Sequence, residues 1–339
     1  MRVDVARLRN PKGRMRRVAT PHRGVRFGTG TACGHHGEIL QGCFSCHGDS
    51  VPGLVTLPVA SLRSHARFTP SFTRPGIRGQ CGTKARRAAE LMLDHLTQTQ
   101  PRTPESQLPL GGDLTVECGI SEGLGLGSST ADVVASMRAV AAALGSTVAS
   151  PTLARLAVAA EGAADPVMGA KGAGVTLFAQ REGRAIHQWR AGLPPMLLVG
   201  CQWGEPVETM RLHAERSQVA QRALNFYDGL ADWLGEALAS ADARAVGEVA
   251  THSSLMNQAW LPNPHLPTLI GICGECGGVG VQVAHSGAVA GVLFDAHPEC
   301  RQRSASRAQQ CRTLLVEAGL DITVREELIG EDPYLAGHR

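Results

Sequence analysis

Residues 123–132 carry the residue types best suited to holding an anion. They read Gly-Leu-Gly-Leu-Gly-Ser-Ser-Thr-Ala-Asp, so three alternating glycines precede three hydroxyl residues. Glycines let backbone N–H groups approach an anion without interference from a Cβ atom. A helix that begins at such a turn points its free N–H groups and positive dipole end at the same anion, and the Ala/Val-rich run 133–144 supplies one. The stretch predicts a triphosphate cradle; a glycine-rich turn into a well-capped helix is the alternative.

Two carboxylates and a histidine pair are further candidates for chemistry. Glu161 and Asp165 are four residues apart, which puts both on one helix face or leaves Asp165 in the loop just beyond the helix. One could hold Mg²⁺ while the other acts as a base, or both could lie at a solvated helix end. His35, His36 and Glu38 fall in a glycine-rich segment that we interpret as a turn. They could bind a metal or a polar substrate, or lie at the surface.

The periodicity of apolar residues predicts the elements that position these side chains. We expect strands at 25–32, 51–58, 60–69, 113–120, 174–180, 196–200, 279–284, 289–295 and 321–328. We expect helices at 83–96, 133–144, 151–164, 210–234, 236–250, 252–260, 266–276 and 304–319. Strands that alternate with helices in both halves predict an α+β protein of two sandwiches. Glycines and prolines at 183–195 place the boundary between domains 27–192 and 193–339.

Composition restricts the class of protein. Of 339 residues, 43% are apolar and 19% charged, which is typical of a globular chain. Aromatic residues make up 4% and the net charge is +3, so neither stacking on nucleic acid nor a polyanionic partner is expected. Residues 1–26 hold nine Lys/Arg and one acid, which predicts a solvated N-terminal extension. With no 18-residue apolar run and no signal segment, we expect a cytoplasmic protein without a membrane partner. A homodimer is left open.

The ten cysteines include two C-x-x-C pairs, Cys43/Cys46 and Cys273/Cys276. Four thiolates could form one structural zinc site. The pairs are far apart in the sequence, and we favour reduced thiols because no export signal is found. A zinc-structured binding module is therefore the weaker interpretation.

Taken together, these segments resemble a known family. Gly-Leu-Gly-Ser-Ser at 125–129 resembles the phosphate motif of the GHMP-superfamily small-molecule kinases, which act on galactose, homoserine, mevalonate and related alcohols. A closer resemblance, over about residues 28–296, is to the L-threonine kinases of cobalamin biosynthesis. It rests on Gly-Glu-Ile-Leu-Gln-Gly at 37–42, Ser-Ser-Thr-Ala-Asp at 128–132, the segment 161–168, Thr-His-Ser-Ser at 251–254 and Val-Gln-Val-Ala-His-Ser-Gly at 281–287. Relatives carry small residues or cysteine where His35 and His36 stand.

The resemblance implies a GHMP kinase fold, with an N-terminal ribosomal-S5-like domain, a C-terminal ferredoxin-like α/β sandwich and ATP between them. ATP would be bound by Gly123, Leu124, Gly125, Leu126, Gly127, Ser128, Ser129 and Thr130. Ser129 and Glu161 would position Mg²⁺, and Asp165 would orient or deprotonate the substrate hydroxyl. The substrate side would be lined by His36, Glu38, Gln41, His285, Ser286 and Gly287.

The expected activity is ATP-dependent phosphorylation of a small hydroxylated substrate. L-Threonine, giving O-phospho-L-threonine, is the first candidate. Homoserine or another small alcohol is the enzymatic alternative. A nucleotide-binding sensor that kept the fold without catalysis is the alternative from a different class, and the presence of Ser129, Glu161 and Asp165 argues against it.

Overall fold

The computed structural model describes residues 27–99, 108–165, 174–203, 223–259, 261–285 and 289–330. In these ranges the strands are β1 Gly28–Cys46, β2 Asp49–Ser71, β3 Gly76–Arg78, β4 Gly111–Cys118, β5 Val175–Ala179, β6 Arg184–Trp189, β7 Met196–Gln202, β8 Gly280–Val283, β9 Val289–Asp295 and β10 Asp321–Ile329. The helices are α1 Thr83–Thr99, α2 Ser128–Ala143, α3 Ser150–Glu161, α4 Leu224–Ala239, α5 Ala243–Asn257, α6 Leu266–Glu275 and α7 Arg301–Glu317.

The strands form one mixed sheet around a long hairpin. Their order is β10-β7-β9-β8-β1-β2-β4-β3, and β5 pairs with β2 and β6. β1 and β2 pair antiparallel from Gly28–Phe68 to Cys46–Asp49. The two halves of the sheet meet where β1 pairs with β8, in a single register pair, Glu38–Val283. The division into domains 27–192 and 193–339 stays a prediction.

Helix α2 lies very close to strand β1 because the residues that face each other have small or no side chains. A Cβ at Gly28 would be 2.2 Å from the carbonyl oxygen of Ala139, and one at Gly30 would be 2.1 Å from that of Ala135. Only glycine on the strand permits this approach. Most alanines and all three valines of α2 are buried there and form one core with α1, α3, β2 and β4. The close packing fixes the N-terminus of α2, and thus the glycine motif, against β1.

In the second half, helices cover both faces of the sheet. Leu198 packs with α4 and α5, whereas its neighbours Leu197 and Val199 pack with α6 and α7. Alternate side chains of a strand point to opposite faces, and helices cover both faces of β7. Its sequence is therefore an almost continuous apolar run. In the described part of the chain, no helix has both the length and the apolar character to cross a membrane.

The two C-x-x-C pairs belong to different parts of the core. Cys43 and Cys46 lie on β1, whereas Cys273 packs with Cys276 beneath α6 and α7. Within the described ranges, no three His, Cys, Asp or Glu side chains are grouped so that they could hold one metal ion. The shared zinc site is therefore not supported by this arrangement.

Several predicted elements were wrong in extent. Segment 33–42, predicted as a turn, continues strand β1 with irregular register around Gly37, because it stays paired with β2 and gains the β8 contact. Strands 51–58 and 60–69 are one strand, β2. β6 was missed, and the helices predicted to meet near residue 251 form the single helix α5. Helix α3 ends at Glu161 rather than 164, because Gly162 takes a left-handed C-cap. The expectations for residues 1–26 and 210–222 lie outside the described residues.

Candidate active site

The glycine motif forms a loop that ends on the N-terminus of α2. Gly123, Gly125 and Gly127 all have positive φ angles, between 73° and 77°. Gly127 is the N-cap of α2 and has no side chain to occupy the N–H groups of the first turn. The loop lines an open cavity of about 460 Å³ together with Lys84 and Ser129. The rest of the cavity wall is formed by Gly82, Thr83, Ala85, Glu122, Leu126, Ser128, Asp132 and Asp165. Free N–H groups at a helix terminus make the cavity suited to phosphate.

Lys84, Ser129 and Glu161 form a polar group at this cavity. The Lys84 ammonium donates to Ser129 Oγ at 3.1 Å and lies 3.8 Å from Glu161 Oε2. Ser129 Oγ in turn donates to Glu161 Oε2 at 2.6 Å. The Glu161 side chain is only 2% exposed, whereas that of Lys84 is 55% exposed. A lysine that reaches in from solvent beside a buried carboxylate can neutralise phosphate charge and leave the carboxylate for a metal.

Thr130 links Glu161 to Asp165. Its hydroxyl donates to Glu161 Oε1 at 2.7 Å and accepts from the Asp165 backbone N–H at 3.3 Å. α3 ends at Glu161, and the left-handed Gly162 turns the chain so that Asp165 comes back towards α2. Both carboxylates thus lie against the first turn of α2, although only Glu161 belongs to a helix.

His35 lies between two carboxylates behind the glycine loop. Its ring is 1% exposed, with Nε2 3.2 Å from Asp165 Oδ2 and Nδ1 3.8 Å from Glu38 Oε1. Its backbone N–H donates to the carbonyl of Leu126 at 3.1 Å, which ties strand β1 to the loop. Gly127 lies against the ring edge, since a Cβ there would be 2.5 Å from His35 Cδ2.

Glu38 extends this cluster into the second half of the chain. The backbone N–H of His285 donates to Glu38 Oε2 at 2.6 Å, and His285 Nδ1 lies 2.8 Å from Glu38 Oε1. The Glu38 side chain is fully buried. The result is a chain of alternating acids and imidazoles, Asp165–His35–Glu38–His285, that leads from the cavity into the interior.

The buried charges shift one another's pKa values. Burial opposes ionisation of Asp165, but the positive charge of His35 outweighs it and lowers the pKa of Asp165 to about 2. Burial also opposes the charged form of His35, yet Asp165 and then Glu38 raise its pKa above 6.5. For Glu161, burial prevails over the hydrogen bonds from Ser129 and Thr130, and its pKa is raised. The two carboxylates at the cavity are therefore held in different states of basicity.

The other predicted substrate-side residues lie apart from this cluster. His36 points the opposite way along β1, where Nε2 meets Thr323 Oγ1 at 2.8 Å and Nδ1 meets Gln282 Nε2 at 2.7 Å. Gln41 is buried, and its side chain donates to the carbonyl of Val283 at 3.0 Å. The structure brings neither side chain to the cavity. Ser286 and Gly287 lie outside the described residues.

Two side chains that contribute to the site were not selected from the sequence. In the sequence, Lys84 is marked only as part of the helix that begins at Thr83. His35 is one of a histidine pair, and the predicted substrate side includes His36 but not His35. Successive residues of a strand point to opposite faces, so a strand at 33–42 separates the side chains of His35 and His36. In a regular strand His35 and Glu38 would also point to opposite faces. The irregular register between them brings them to the same side.

The comparisons with known proteins agree with this geometry. Residues 84–174 match the family model described as the GHMP kinases N terminal domain. This segment is therefore similar to the N-terminal domain of the GHMP kinases. It is also 34% identical over 173 residues to the L-threonine kinase of Citrobacter freundii, and 30% identical over 179 residues to that of Salmonella typhimurium strain LT2. These matches cover 50% of this chain and 58% and 56% of the two relatives, so the likeness spans little more than half of their length.

Solved structures show that the fold extends beyond the matched domain. Homoserine kinase from Cytophaga hutchinsonii superimposes with a TM-score of 0.59 at 14% identity, covering 89% of this chain and 98% of that one. Phosphomevalonate kinase from Streptococcus pneumoniae, in complex with phosphomevalonate and AMPPNP, gives a TM-score of 0.60 at 15% identity, with coverage of 90% and 99%. The α+β GHMP kinase fold expected from the sequence is confirmed.

Proposed function

We propose that this chain is an ATP- and Mg²⁺-dependent kinase that phosphorylates the side-chain hydroxyl of L-threonine. One observation carries the proposal: the first turn of α2 holds Asp165, which lines a cavity suited to phosphate, and Glu161, which lies buried directly behind Ser129. Ser129 and Thr130 both donate to Glu161, and Thr130 also contacts Asp165. A phosphate cradle, a metal carboxylate and a carboxylate for the substrate hydroxyl are the parts that phosphoryl transfer requires.

The nucleotide would be held by its phosphates. The N–H groups of the glycine loop and of the first turn of α2 would bind their oxygens, and Lys84 would offset part of their charge. Glu161 and Ser129 fit Mg²⁺ because they offer hard oxygen ligands, few in number, beside a phosphate site. Bound there, the ion would neutralise charge on the transferred phosphoryl group.

The reaction requires little covalent chemistry from the protein. The substrate oxygen forms a bond to the γ-phosphorus, the bond from that phosphorus to the bridging oxygen breaks, and ADP departs. Asp165 accepts a hydrogen bond from the substrate hydroxyl and aligns it, and the proton is released to solvent as the new ester forms. The residues contribute by position and by electrostatics, which is where such enzymes gain most of their rate.

L-Threonine is our first candidate substrate because the relatives with 30–34% identity are named L-threonine kinases. Homoserine is the second candidate, since a homoserine kinase shares the fold over 89% of this chain. Both are small amino acids with one free hydroxyl, and they differ too little in size for one pocket to separate them strongly. The pathway implied by the resemblance, cobalamin biosynthesis, and a cytoplasmic location stay predictions.

An ADP-release assay tests the proposal. The full chain with ATP and Mg²⁺ is given L-threonine, L-serine, L-homoserine, mevalonate or no acceptor. We expect release stimulated most by L-threonine and reduced to a small residual rate in Asp165→Asn. Stimulation by another alcohol alone would refute the substrate and leave a kinase. No stimulation by any acceptor would favour a non-catalytic nucleotide-binding protein. An Asp165→Ala variant that turns over as fast as the parent would contradict the role given to Asp165.

A further inference from the structure

We propose that His35 is a positioning residue whose imidazolium, held between two carboxylates, aims the Asp165 carboxylate at the phosphate cavity. The inference rests on the proposed kinase function and assigns a role within the same site. Asp165 would contact the substrate, whereas His35 would act only through Asp165. It is the middle member of the chain Asp165–His35–Glu38–His285.

Two acids flank the His35 ring, which favours its doubly protonated form. His35 is 1% exposed, and Nε2 and Nδ1 face Asp165 Oδ2 at 3.2 Å and Glu38 Oε1 at 3.8 Å. Neither contact has the geometry of a full hydrogen bond, so both are charge contacts, and the backbone of Gly37 also lies within reach of the ring. A neutral imidazole carries one N–H and would turn a lone pair towards one of the carboxylates. Only the imidazolium presents an N–H to both, so burial between the two acids selects the cation.

Packing fixes the direction in which this cation points. The His35 backbone is bonded to the carbonyl of Leu126, and Gly127 lies against the ring edge. His35 therefore cannot rotate towards solvent without moving the glycine loop. Asp165, by contrast, is 17% exposed and follows the end of a helix, so it has no rigid element of its own. The ion pair with His35 supplies the constraint that the backbone of Asp165 lacks.

The pairing also limits what Asp165 can do. Asp165 faces His35 and Thr130, with His285 beyond, while His35 faces Glu38 and adjoins the neutral His36. These groups hold the pKa of Asp165 near 2, so the carboxylate is a poor proton acceptor at neutral pH and a good hydrogen-bond acceptor. Of the two roles the sequence left open, orienting the hydroxyl fits this environment and deprotonating it does not.

A double-mutant cycle tests the coupling. The variants are His35→Gln, which keeps a neutral side chain of similar size, Asp165→Asn and the double variant. We expect His35→Gln to lower kcat on the order of 10- to 100-fold, as expected for a misplaced reacting group, with KM for ATP within about twofold. We expect the double variant to be no slower than Asp165→Asn alone. Losses that multiply in the double variant, or a drop confined to KM for ATP, would overturn the proposal.

A stability control separates positioning from damage to the fold. Leu315 is fully buried on α7, far from the cavity, in a different core. Leu315→Ala should lower the thermal midpoint without changing kcat, whereas His35→Gln should lower kcat even where the two midpoints are equal. If both variants lose kcat in proportion to stability, His35 has only a structural role.

Nitrogen NMR of the histidine side chains provides a readout that does not need turnover. At pH 7 the His35 ring should show two protonated nitrogens in the full chain, and Asp165→Asn should shift its titration to lower pH. A neutral ring at pH 7, or a titration unaffected by Asp165→Asn, contradicts the inference even if the kinase activity is found. Conversely, a protonated ring in a chain that releases no ADP with any acceptor means that the proposed function, and not the ion pair, is wrong.

Discussion

Gly127→Ala is the substitution that this structure predicts most sharply. Gly127 has φ 73° and closes the phosphate loop at the start of α2. A Cβ there would be 2.5 Å from Cδ2 and 2.9 Å from Nε2 of His35. Gly145, just beyond the end of α2, has φ 66° and a Cβ there would meet no described heavy atom within 4 Å. The two glycines thus share a backbone conformation and differ in what surrounds them.

The expected magnitudes follow from this difference. A left-handed conformation costs an L-residue with a side chain about 1–2 kcal/mol, which both substitutions incur. Ordinary van der Waals contact begins at 3.4 Å, so at position 127 the His35 ring or the loop must shift by about 0.9 Å (3.4 minus 2.5 Å). Overpacking of this kind adds about 1–3 kcal/mol. A displacement near 1 Å at a reacting group lowers kcat on the order of 100-fold.

Urea unfolding and steady-state ADP release measure both effects. Gly145→Ala should lose about 1–2 kcal/mol of unfolding free energy and keep its kcat, while Gly127→Ala loses more stability and most of its activity. In a His35→Ala background the additional loss of stability at position 127 should disappear, since the ring that causes it is gone. Equal stability and equal kcat for Gly127→Ala and Gly145→Ala would refute the reasoning.

Three further predictions concern the charges. Glu161→Gln should raise the Mg²⁺ concentration for half-maximal rate by at least about 10-fold; because burial raises the pKa of Glu161, the parent's own Mg²⁺ requirement should grow as the pH falls towards that pKa. Lys84→Ala should raise KM for ATP by up to about 5-fold, given an exposed charge worth at most ~1 kcal/mol, and Lys84→Arg should restore it. Burial holds His36 neutral and lowers its pKa to about 3. Its contribution to the free energy of unfolding is therefore complete above pH 6.5 and declines by about 1.4 kcal/mol per pH unit as the pH falls from there towards 3. His36→Gln should flatten that part of the stability-versus-pH curve, and an unchanged slope would contradict the prediction.

Local patterns were sufficient for many elements of the fold and for one wall of the site. The 3.6-residue spacing of Ala85, Ala88, Met92 and Leu96 predicted α1, and all four are buried. The alternation before residue 120 and the glycines after it predicted a strand, a loop and α2. These signals are local because a helix stripe and a capped glycine turn are specified by neighbours in the chain. The pairing of Glu161 with Ser129 was implied by the family resemblance and was not visible in spacing alone, and the link through Thr130 came only from the structure.

The remainder depended on pairing between distant segments. Glycines at 34, 37 and 42 are typical of turns, yet the segment is a strand because β2 and β8 pair with it on either side. That pairing, with its irregular register near Gly37, decides which of His35 and His36 faces Asp165. Sequence periodicity cannot supply it, since the irregularity shifts the alternation of faces at the residues in question.

Glu38 explains why the site cannot be assigned to one half of the chain. It is the residue of β1 that pairs with β8, and its carboxylate accepts from His285, which follows β8 directly. The same carboxylate faces His35, whose ring faces Asp165. A shift of β8 relative to β1 would therefore alter the charge beside His35 before it altered any residue at the phosphate loop. It follows that substitutions near Val283 should change kcat while leaving the affinity for ATP intact, although no atom of β8 lines the cavity.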